Sequence, residues 1–181
     1  TKEVQERWRS VKLVLCDVDG VLASRIRLDV DGREIKVFCE KDAPRIKAIG
    51  QLGMRFVAIS GRDSGATRSR CRELGIEFFT RRELATDHTG RIDPLLAVQQ
   101  RYGVEPQEIL YIGDDWADLA WMQEVGATAV PADAVKECLE TADFISTLTG
   151  GNGAVSETLC RLLAIKGLYD EAIALFANKR F

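Results

Sequence analysis

The stretch Val11-Lys12-Leu13-Val14-Leu15-Cys16-Asp17-Val18-Asp19-Gly20 decides how this chain folds. Its first six residues are mostly apolar, as in a strand of a parallel sheet that is buried on both faces. The apolar run stops at Asp17, and Asp19 and Gly20 complete an acidic turn directly after it. A buried strand that ends in two carboxylates predicts a functional loop at the edge of a parallel sheet.

Strand and helix signals alternate along the rest of the chain. Short apolar runs predict further strands over 55–60, 76–79, 109–112, 128–130 and 144–146. Helical patterns lie between them, and those over 42–52 and 64–74 are followed by Gly53 and Gly75, where helix C-termini favour left-handed backbone. Repeated strand-helix units predict an α/β fold, a doubly wound Rossmann-like parallel sheet.

One short segment departs from this alternation. Residues 26–38 alternate apolar and polar side chains around Asp31-Gly32, the pattern of a β-hairpin. We therefore expect a small hairpin flap and no large cap domain. The whole chain, residues 1–181, is predicted to form a single domain, with a C-terminal helical tail over 168–181.

Composition and charge narrow the class of protein. The 181 residues carry a formal net charge of −3, which argues against a nucleic-acid partner, and Arg81-Arg82 is one of few dense basic stretches. No apolar run approaches the roughly 20 residues of a membrane span. Five cysteines without paired short spacing indicate reduced thiols and a cytoplasmic protein. The start at Thr1 leaves a longer parent polypeptide open.

Three predicted strands are followed by polar loops that should meet at one sheet edge. The first carries Asp17 and Asp19, the second Ser60-Gly61-Arg62, and the third Gly113-Asp114-Asp115. Converging carboxylates repel each other unless a cation neutralises them. Oxygen ligands favour Mg²⁺, whereas zinc normally recruits His or Cys, and His88 is the one histidine.

The residue types suggest phosphoryl transfer. Asp17, at the strand tip, is placed to attack phosphorus and form an aspartyl phosphate, and Asp19 is placed for general acid and base catalysis. Asp115 and Asp118 either orient loops or cap a helix predicted to run through Val125. Any one of these motifs alone is more simply explained as a turn or helix cap.

Together the motifs carry a resemblance to a known family. Asp17-Val18-Asp19-Gly20-Val21-Leu22 resembles motif I of the haloacid dehalogenase superfamily, Ser60-Gly61-Arg62 resembles motif II, and residues 111–118 resemble motif IV. The resemblance implies a phosphatase in which Asp17, Asp114 and the backbone carbonyl of Asp19 hold Mg²⁺. It also implies that the Ser60-Gly61-Arg62 loop binds phosphate.

The hairpin, Lys41-Asp42 and the loop over 150–155 resemble the capless branch that contains 3-deoxy-D-manno-octulosonate 8-phosphate phosphatase. They also resemble the phosphatase-like C-terminal domain of CMP-sialic acid synthetases. The branch implies a homotetramer in which each hairpin helps to cover a neighbour's site. It further implies a phosphorylated sugar or keto-deoxy sugar acid as substrate, of the octulosonate 8-phosphate or nonulosonate 9-phosphate type.

The chain departs from the family pattern on its substrate side. Arg25 adds a cation near the site entrance, and Asn152 and Ser156 stand where the family's glycine-rich loop usually has arginines. The motif III lysine has no clean counterpart: Arg91 aligns with it when counted back from Tyr111, and it is either that phosphate ligand or an exposed loop arginine. These changes leave two functions open: a magnesium-dependent phosphomonoesterase, or a catalytically weak oligomerisation or regulatory domain associated with a sugar-acid cytidylyltransferase.

Overall fold

A computed structural model describes residues 1–87 and 90–177, without the side chains of Arg25, Asp87 and Arg91. This part of the chain contains strands β1 Leu13–Asp17, β2 Ala23–Leu28, β3 Glu34–Phe38, β4 Arg55–Ser60, β5 Glu77–Thr80, β6 Thr86–Asp87, β7 Gly90–Arg91, β8 Ile109–Ile112, β9 Ala127–Val130 and β10 Phe144–Ile145. Six of them form a parallel sheet in the order β10-β9-β8-β1-β4-β5. The predicted doubly wound α/β fold is confirmed.

Helices cover both faces of this sheet. They are α1 Lys2–Ser10, α2 Asp42–Gln51, α3 Gly65–Leu74, α4 Arg81–Leu84, α5 Pro94–Tyr102, α6 Leu119–Glu124, α7 Lys136–Thr141, α8 Ala154–Lys166 and α9 Tyr169–Ala177. Val14 and Cys16 pack in one core cluster with residues of α1, α2 and α8, and Leu13 and Leu15 pack in a second with residues of α5 and α6. Burial of both faces explains the unbroken apolar run of β1.

Strand β1 lies at the centre of the sheet, between β4 and β8, and is parallel to both. Cys16 is level with Ala58 of β4 and with Ile112 of β8. The chain winds outward from β1 through β4 and β5 and then crosses back to β8. Loops that leave such a reversal point border a common crevice, so the loops after β1, β4 and β8 meet as predicted.

Strands β2 and β3 form the predicted antiparallel hairpin, which begins at Ala23, slightly before the predicted start. Its apolar side chains Leu28, Val30, Ile35 and Val37 are exposed. In the described residues, the segment between β1 and α2 contains this hairpin as its regular structure. Residues 1–87 and 90–177 contain no large cap domain. The flap is therefore small and carries an unusually apolar outer face.

Three segments differ from the prediction. Helix α1 was not predicted, because the segment is mostly charged. In the structure, buried Trp8 packs edge-on against Phe144 and holds the helix in place. The helix expected after Asp115 is delayed: a 3₁₀ turn over Trp116–Asp118 precedes α6, because the Asp118 carboxylate folds back onto backbone N–H groups. The segment after Thr80 forms α4, β6 and β7.

None of the described helices is long and apolar enough to cross a bilayer.

Candidate active site

The carboxyl ends of β1 and β8 bring three carboxylates together. Asp17 is the last residue of β1, Asp114 follows β8, and Asp118 closes the same loop. One oxygen from each lies within 4.8 Å of the others. The structure thus places Asp17 and Asp114 side by side, as the sequence predicts, and adds Asp118 to form an acidic triad.

Burial and charge repulsion both raise the pKa values of carboxyl groups in the acidic triad. Burial, followed by the nearby charge of Asp118, raises the pKa of Asp17 well above its usual range. Burial and then Asp118 also raise the pKa of Asp114 to about 7. Carboxylates that resist ionisation for these reasons are stabilised by a hard divalent cation with oxygen ligands. The donor set therefore fits Mg²⁺.

Two glycines allow the loops to approach so closely. Gly20 has φ +99°, and a Cβ there would lie 2.0 Å from Oδ2 of Asp114. A Cβ at Gly113 would lie 2.5 Å from Cγ of Asp118. Any larger residue at either position would push apart the carboxylates that make up the acidic triad.

Asp118 organises the loop that carries Asp114. Its Oδ2 accepts hydrogen bonds from the backbone N–H groups of Asp114 and Asp115, at 2.8 and 3.0 Å. Its Oδ1 accepts one from the Tyr111 hydroxyl, at 2.7 Å. Asp115 instead accepts from the N–H of Trp116, at 2.7 Å. Of the two roles left open for Asp118, the structure favours loop orientation beside the acidic triad, and Asp115 caps the 3₁₀ turn.

The side chain of Asp19 points away from the acidic triad. Its Oδ2 accepts a hydrogen bond from the Ser60 hydroxyl, at 3.2 Å, and its Oδ1 lies 2.7 Å from Nζ of Lys36. Ser60 Oγ in turn accepts from the backbone N–H of Arg62, at 3.0 Å. These hydrogen bonds join the loops after β1 and β4. Gly61, between Ser60 and Arg62, is exposed.

Of the predicted cations, the structure describes the side chain of Arg62. The Arg62 guanidinium is exposed at the rim and lies 3.3 Å from Oε2 of Glu34 in the hairpin. The side chains of Arg25 and Arg91 lie outside the described residues. The structure therefore tests neither as a phosphate ligand.

Arg81 is a site residue that the sequence prediction missed. Its Nη2 lies 2.5 Å from Oδ1 of Asp118 and 3.2 Å from Oδ1 of Asp17, and its Nη1 donates to the carbonyl of Ala117. Burial opposes its charge, but the surrounding hydroxyl and carboxylate groups raise its pKa, so it is a cation. The available signal was position: Arg81 directly follows β5, which pairs in parallel with β4.

The glycine-rich loop before α8 has no charged side chain among Gly150, Gly151, Asn152 and Gly153. The Asn152 amide is used within the loop, where it donates to Thr149 Oγ1 at 2.8 Å and to the carbonyl of Gly150 at 3.1 Å. The buried Ser156 donates its backbone N–H to Asp42. Both positions that depart from the family's arginines are thus occupied by neutral residues: Asn152 is bonded within its own loop, and Ser156 is bonded through its backbone to α2.

A parallel α/β sheet whose central strand ends in this carboxylate centre defines a protein of the haloacid dehalogenase type. No protein-family model matches the chain. The 3-deoxy-D-manno-octulosonate 8-phosphate phosphatase of Escherichia coli K12 is 30% identical over 174 residues, which cover 94% of this chain and 88% of that protein. The chain belongs to the haloacid dehalogenase superfamily, in the branch of these phosphatases.

Solved structures agree with this assignment. The Moraxella catarrhalis octulosonate 8-phosphate phosphatase, determined with magnesium, phosphate and a KDO molecule, has a TM-score of 0.87 and 30% identity, with 97% of this chain and 99% of that chain covered. A subfamily III A hydrolase of the superfamily from Legionella pneumophila has a TM-score of 0.87 and 28% identity, covering 98% and 96%. The predicted enzyme class and magnesium cofactor are confirmed at the level of the family.

Proposed function

We propose that this chain is a magnesium-dependent phosphomonoesterase that acts on a phosphorylated keto-deoxy sugar acid through an aspartyl phosphate. The observation that carries the proposal is the convergence of Asp17, Asp114 and Arg81 at the end of β1. The relatives support the substrate class, since their names specify an octulosonate 8-phosphate. A nonulosonate 9-phosphate has the same features, a primary phosphate ester on a carboxylated sugar.

The proposed reaction has two steps at phosphorus. A carboxylate oxygen of Asp17 attacks phosphorus, the ester bond to the sugar oxygen breaks, and Asp19 gives that oxygen a proton. Asp19 then takes a proton from water as the water oxygen attacks the aspartyl phosphate. The bond between phosphorus and Asp17 breaks, which releases inorganic phosphate and restores both carboxyl groups.

Asp17, Asp114 and the backbone carbonyl of Asp19 would hold Mg²⁺, as the family resemblance implies. The bound ion would neutralise the repulsion between an anionic nucleophile and an anionic phosphate. Asp118 supports this set through the hydrogen bonds that it accepts from the Asp114 loop. It is also the member of the acidic triad that Arg81 contacts at the shorter distance, so it holds the guanidinium in place.

Phosphate binding is assigned to groups that surround the tip of β1. The Ser60 hydroxyl and the Arg81 guanidinium would bind phosphate oxygens, because Arg81 supplies a cation 3.2 Å from the Asp17 carboxylate. Gly61 offers exposed backbone beside Ser60. Arg91 and Arg25 stay predictions as further phosphate or substrate ligands.

Assembly and location form part of the same proposal. We propose that residues 1–181 form one domain, that the protein is cytoplasmic without nucleic-acid or membrane partners, and that it forms a homotetramer through its hairpins. The exposed apolar residues Leu28, Val30, Ile35 and Val37 support this, because an apolar patch on a short two-stranded flap is typical of an interface. Light scattering should give four times the chain mass, and Val30→Glu with Leu28→Glu should reduce it.

The function is tested by a phosphatase screen over phosphorylated sugars and sugar acids, with and without Mg²⁺. We expect magnesium-dependent release of phosphate, with carboxylated sugar phosphates as the best substrates, and no release by Asp17→Asn. A correctly folded wild-type protein that releases no phosphate from any of them would contradict the proposal. It would favour the catalytically weak domain instead.

A further inference from the structure

Lys36 of β3 is buried beneath the hairpin, with no exposed side-chain surface. Its Nζ contacts three oxygens: Oδ1 of Asp19 at 2.7 Å, Oγ1 of Thr67 at 3.0 Å and Oε1 of Glu34 at 3.4 Å. Only Asp19 among these residues belongs to the proposed reaction. The contacts fix the ammonium in one position between the hairpin, helix α3 and the loop after β1.

Such a placement runs against the usual behaviour of lysine. A lysine on an edge hairpin normally extends its ammonium into water, because a buried ammonium loses hydration and side-chain freedom. In β3 the apolar neighbours Ile35 and Val37 are instead exposed, at 47% and 49%. Folding of the hairpin alone would favour an exposed Lys36 with Ile35 and Val37 buried. The inward position of Lys36 therefore indicates that its ammonium group has a role at the site.

The reason lies in how Asp19 is held. Its Oδ2 is engaged by Ser60, and its Oδ1 lies against Lys36 while accepting no hydrogen bond within the described residues. Both oxygens are thereby kept apart from the acidic triad, in which Asp19 has no part. A carboxylate two residues from Asp17 would otherwise be attracted to a divalent cation bound there.

We infer that Lys36 is a positioning residue that orients the Asp19 carboxylate toward the leaving-group oxygen and keeps it from turning to the cation. This inference rests on the proposed function, because it takes from it the role of Asp19 in proton transfer. Lys36 itself contacts neither the substrate nor the acidic triad. Its effect on the rate passes through Asp19.

A positioning role predicts a dependence on the leaving group. A sugar alkoxide is a poor leaving group and needs a proton from Asp19, whereas p-nitrophenolate leaves without one. Loss of Lys36 should therefore slow hydrolysis of the sugar phosphate far more than hydrolysis of p-nitrophenyl phosphate. The ratio of the two kcat/KM values reports formation of the aspartyl phosphate alone, because hydrolysis of that intermediate is common to both substrates and does not enter kcat/KM. The ratio is also independent of the fraction of active protein, so a partial loss of folded enzyme leaves it unchanged.

The experiment measures this ratio in wild type, Lys36→Met and Arg7→Met, with 3-deoxy-D-manno-octulosonate 8-phosphate and p-nitrophenyl phosphate. Arg7 is the matched control, since it forms a 2.5 Å ion pair with Asp143 away from the site. We expect the ratio of kcat/KM for the sugar phosphate to that for p-nitrophenyl phosphate to fall about 50-fold in Lys36→Met, within the range of proton-transfer catalysis, and to stay unchanged in Arg7→Met. An unchanged ratio in folded Lys36→Met overturns the inference.

Two further variants complete the test. Thr67→Val removes the 3.0 Å hydrogen bond from Lys36 to the Thr67 hydroxyl and takes the place of Lys36→Met if that variant does not fold. A lowered ratio in Thr67→Val then supports the inference. A wild-type ratio overturns it. In the Asp19→Asn background, Lys36→Met should cause no further loss with p-nitrophenyl phosphate; an additive loss would show that Lys36 acts by another route. A wild type inactive on both substrates would instead contradict the proposed function.

Discussion

The two walls of the candidate site are built differently. At the ends of β1 and β8, Asp17, Asp114 and Asp118 bring one oxygen each within 4.8 Å of the others, and Arg81 contacts Asp17 and Asp118. The second wall is the loop over 150–153, which packs against the backbone of Gly20 and Ser24. It offers backbone and one amide, which is bonded within the loop. The first wall is a fixed arrangement of charges, and the second has no charged side chain.

This difference separates chemistry from recognition. Groups that act on phosphorus must be held rigidly, because a small displacement of a nucleophile or cation is costly in rate. Recognition of the sugar can use groups from elsewhere, including Arg62 at the rim and, in the proposed tetramer, the hairpin of a second copy. The contrast therefore predicts that substitutions on the charged wall change kcat strongly, whereas those on the glycine-rich loop change KM and selectivity.

The largest effect is expected for Asp17→Asn. It removes the nucleophile, so kcat should fall by at least about 1000-fold. Because burial and Asp118 raise the pKa of Asp17, the substitution also removes a costly buried charge, and the metal-free variant should melt at a higher temperature than wild type at pH 7. Turnover and thermal melting are measured on the same preparations. Substantial activity of the variant would remove Asp17 from the chemical role.

A smaller effect is expected for Arg81→Ala, which removes the cation beside Asp17. The value of kcat/KM should fall about 100-fold, in the range found for groups that stabilise transition-state charge. Arg91→Ala is the matched comparison for the motif III position. If steady-state kinetics show the larger loss in Arg91→Ala, then Arg91 is the phosphate ligand and Arg81 only supports the loops.

Magnesium and pH should act together on stability. The pKa of Asp114 is about 7 in the fold, above its value near 4 in an unfolded chain, so the folded state holds more protons between these limits. Stability of the metal-free protein should therefore fall as pH rises from about 4 to 7, after which the cost is complete. At a concentration of 100 Kd, Mg²⁺ should add about 3 kcal/mol to the free energy of unfolding at pH 8. The same concentration should raise the melting temperature less at pH 5, where protons compete with the cation for the carboxylates. Equal shifts at the two pH values would argue against binding at the acidic triad.

The smallest effect is expected on the neutral wall. Asn152→Arg places a cation in the glycine-rich loop, where it can pair with a substrate carboxylate. KM for a carboxylated sugar phosphate should fall about 5-fold, the effect of one partly exposed ion pair, with kcat within twofold. A neutral sugar phosphate is the control substrate and should show no gain. A large change in kcat would mean that this loop also takes part in the chemistry.

Much of the charged wall was predictable because sequence marks the ends of buried strands. Asp17, Ser60 and Asp114 each follow an apolar run, and parallel strands bring such ends together. Arg81 was not, because its position depends on the four-residue helix α4, in a segment without regular periodicity. Nor was Lys36, since alternation in the hairpin suggests that Ile35 and Val37 face inward, whereas the structure has the reverse.

The alternation of β3 has a further consequence. Successive side chains of the five-residue strand point to opposite faces: Lys36 points toward the site, whereas Ile35 and Val37 are exposed on the outer face. A single residue inserted within this strand would turn both faces over at once. Length changes in β3 should therefore be tolerated only in pairs, and a catalytic defect and an altered assembly should arise together from the same one-residue slip.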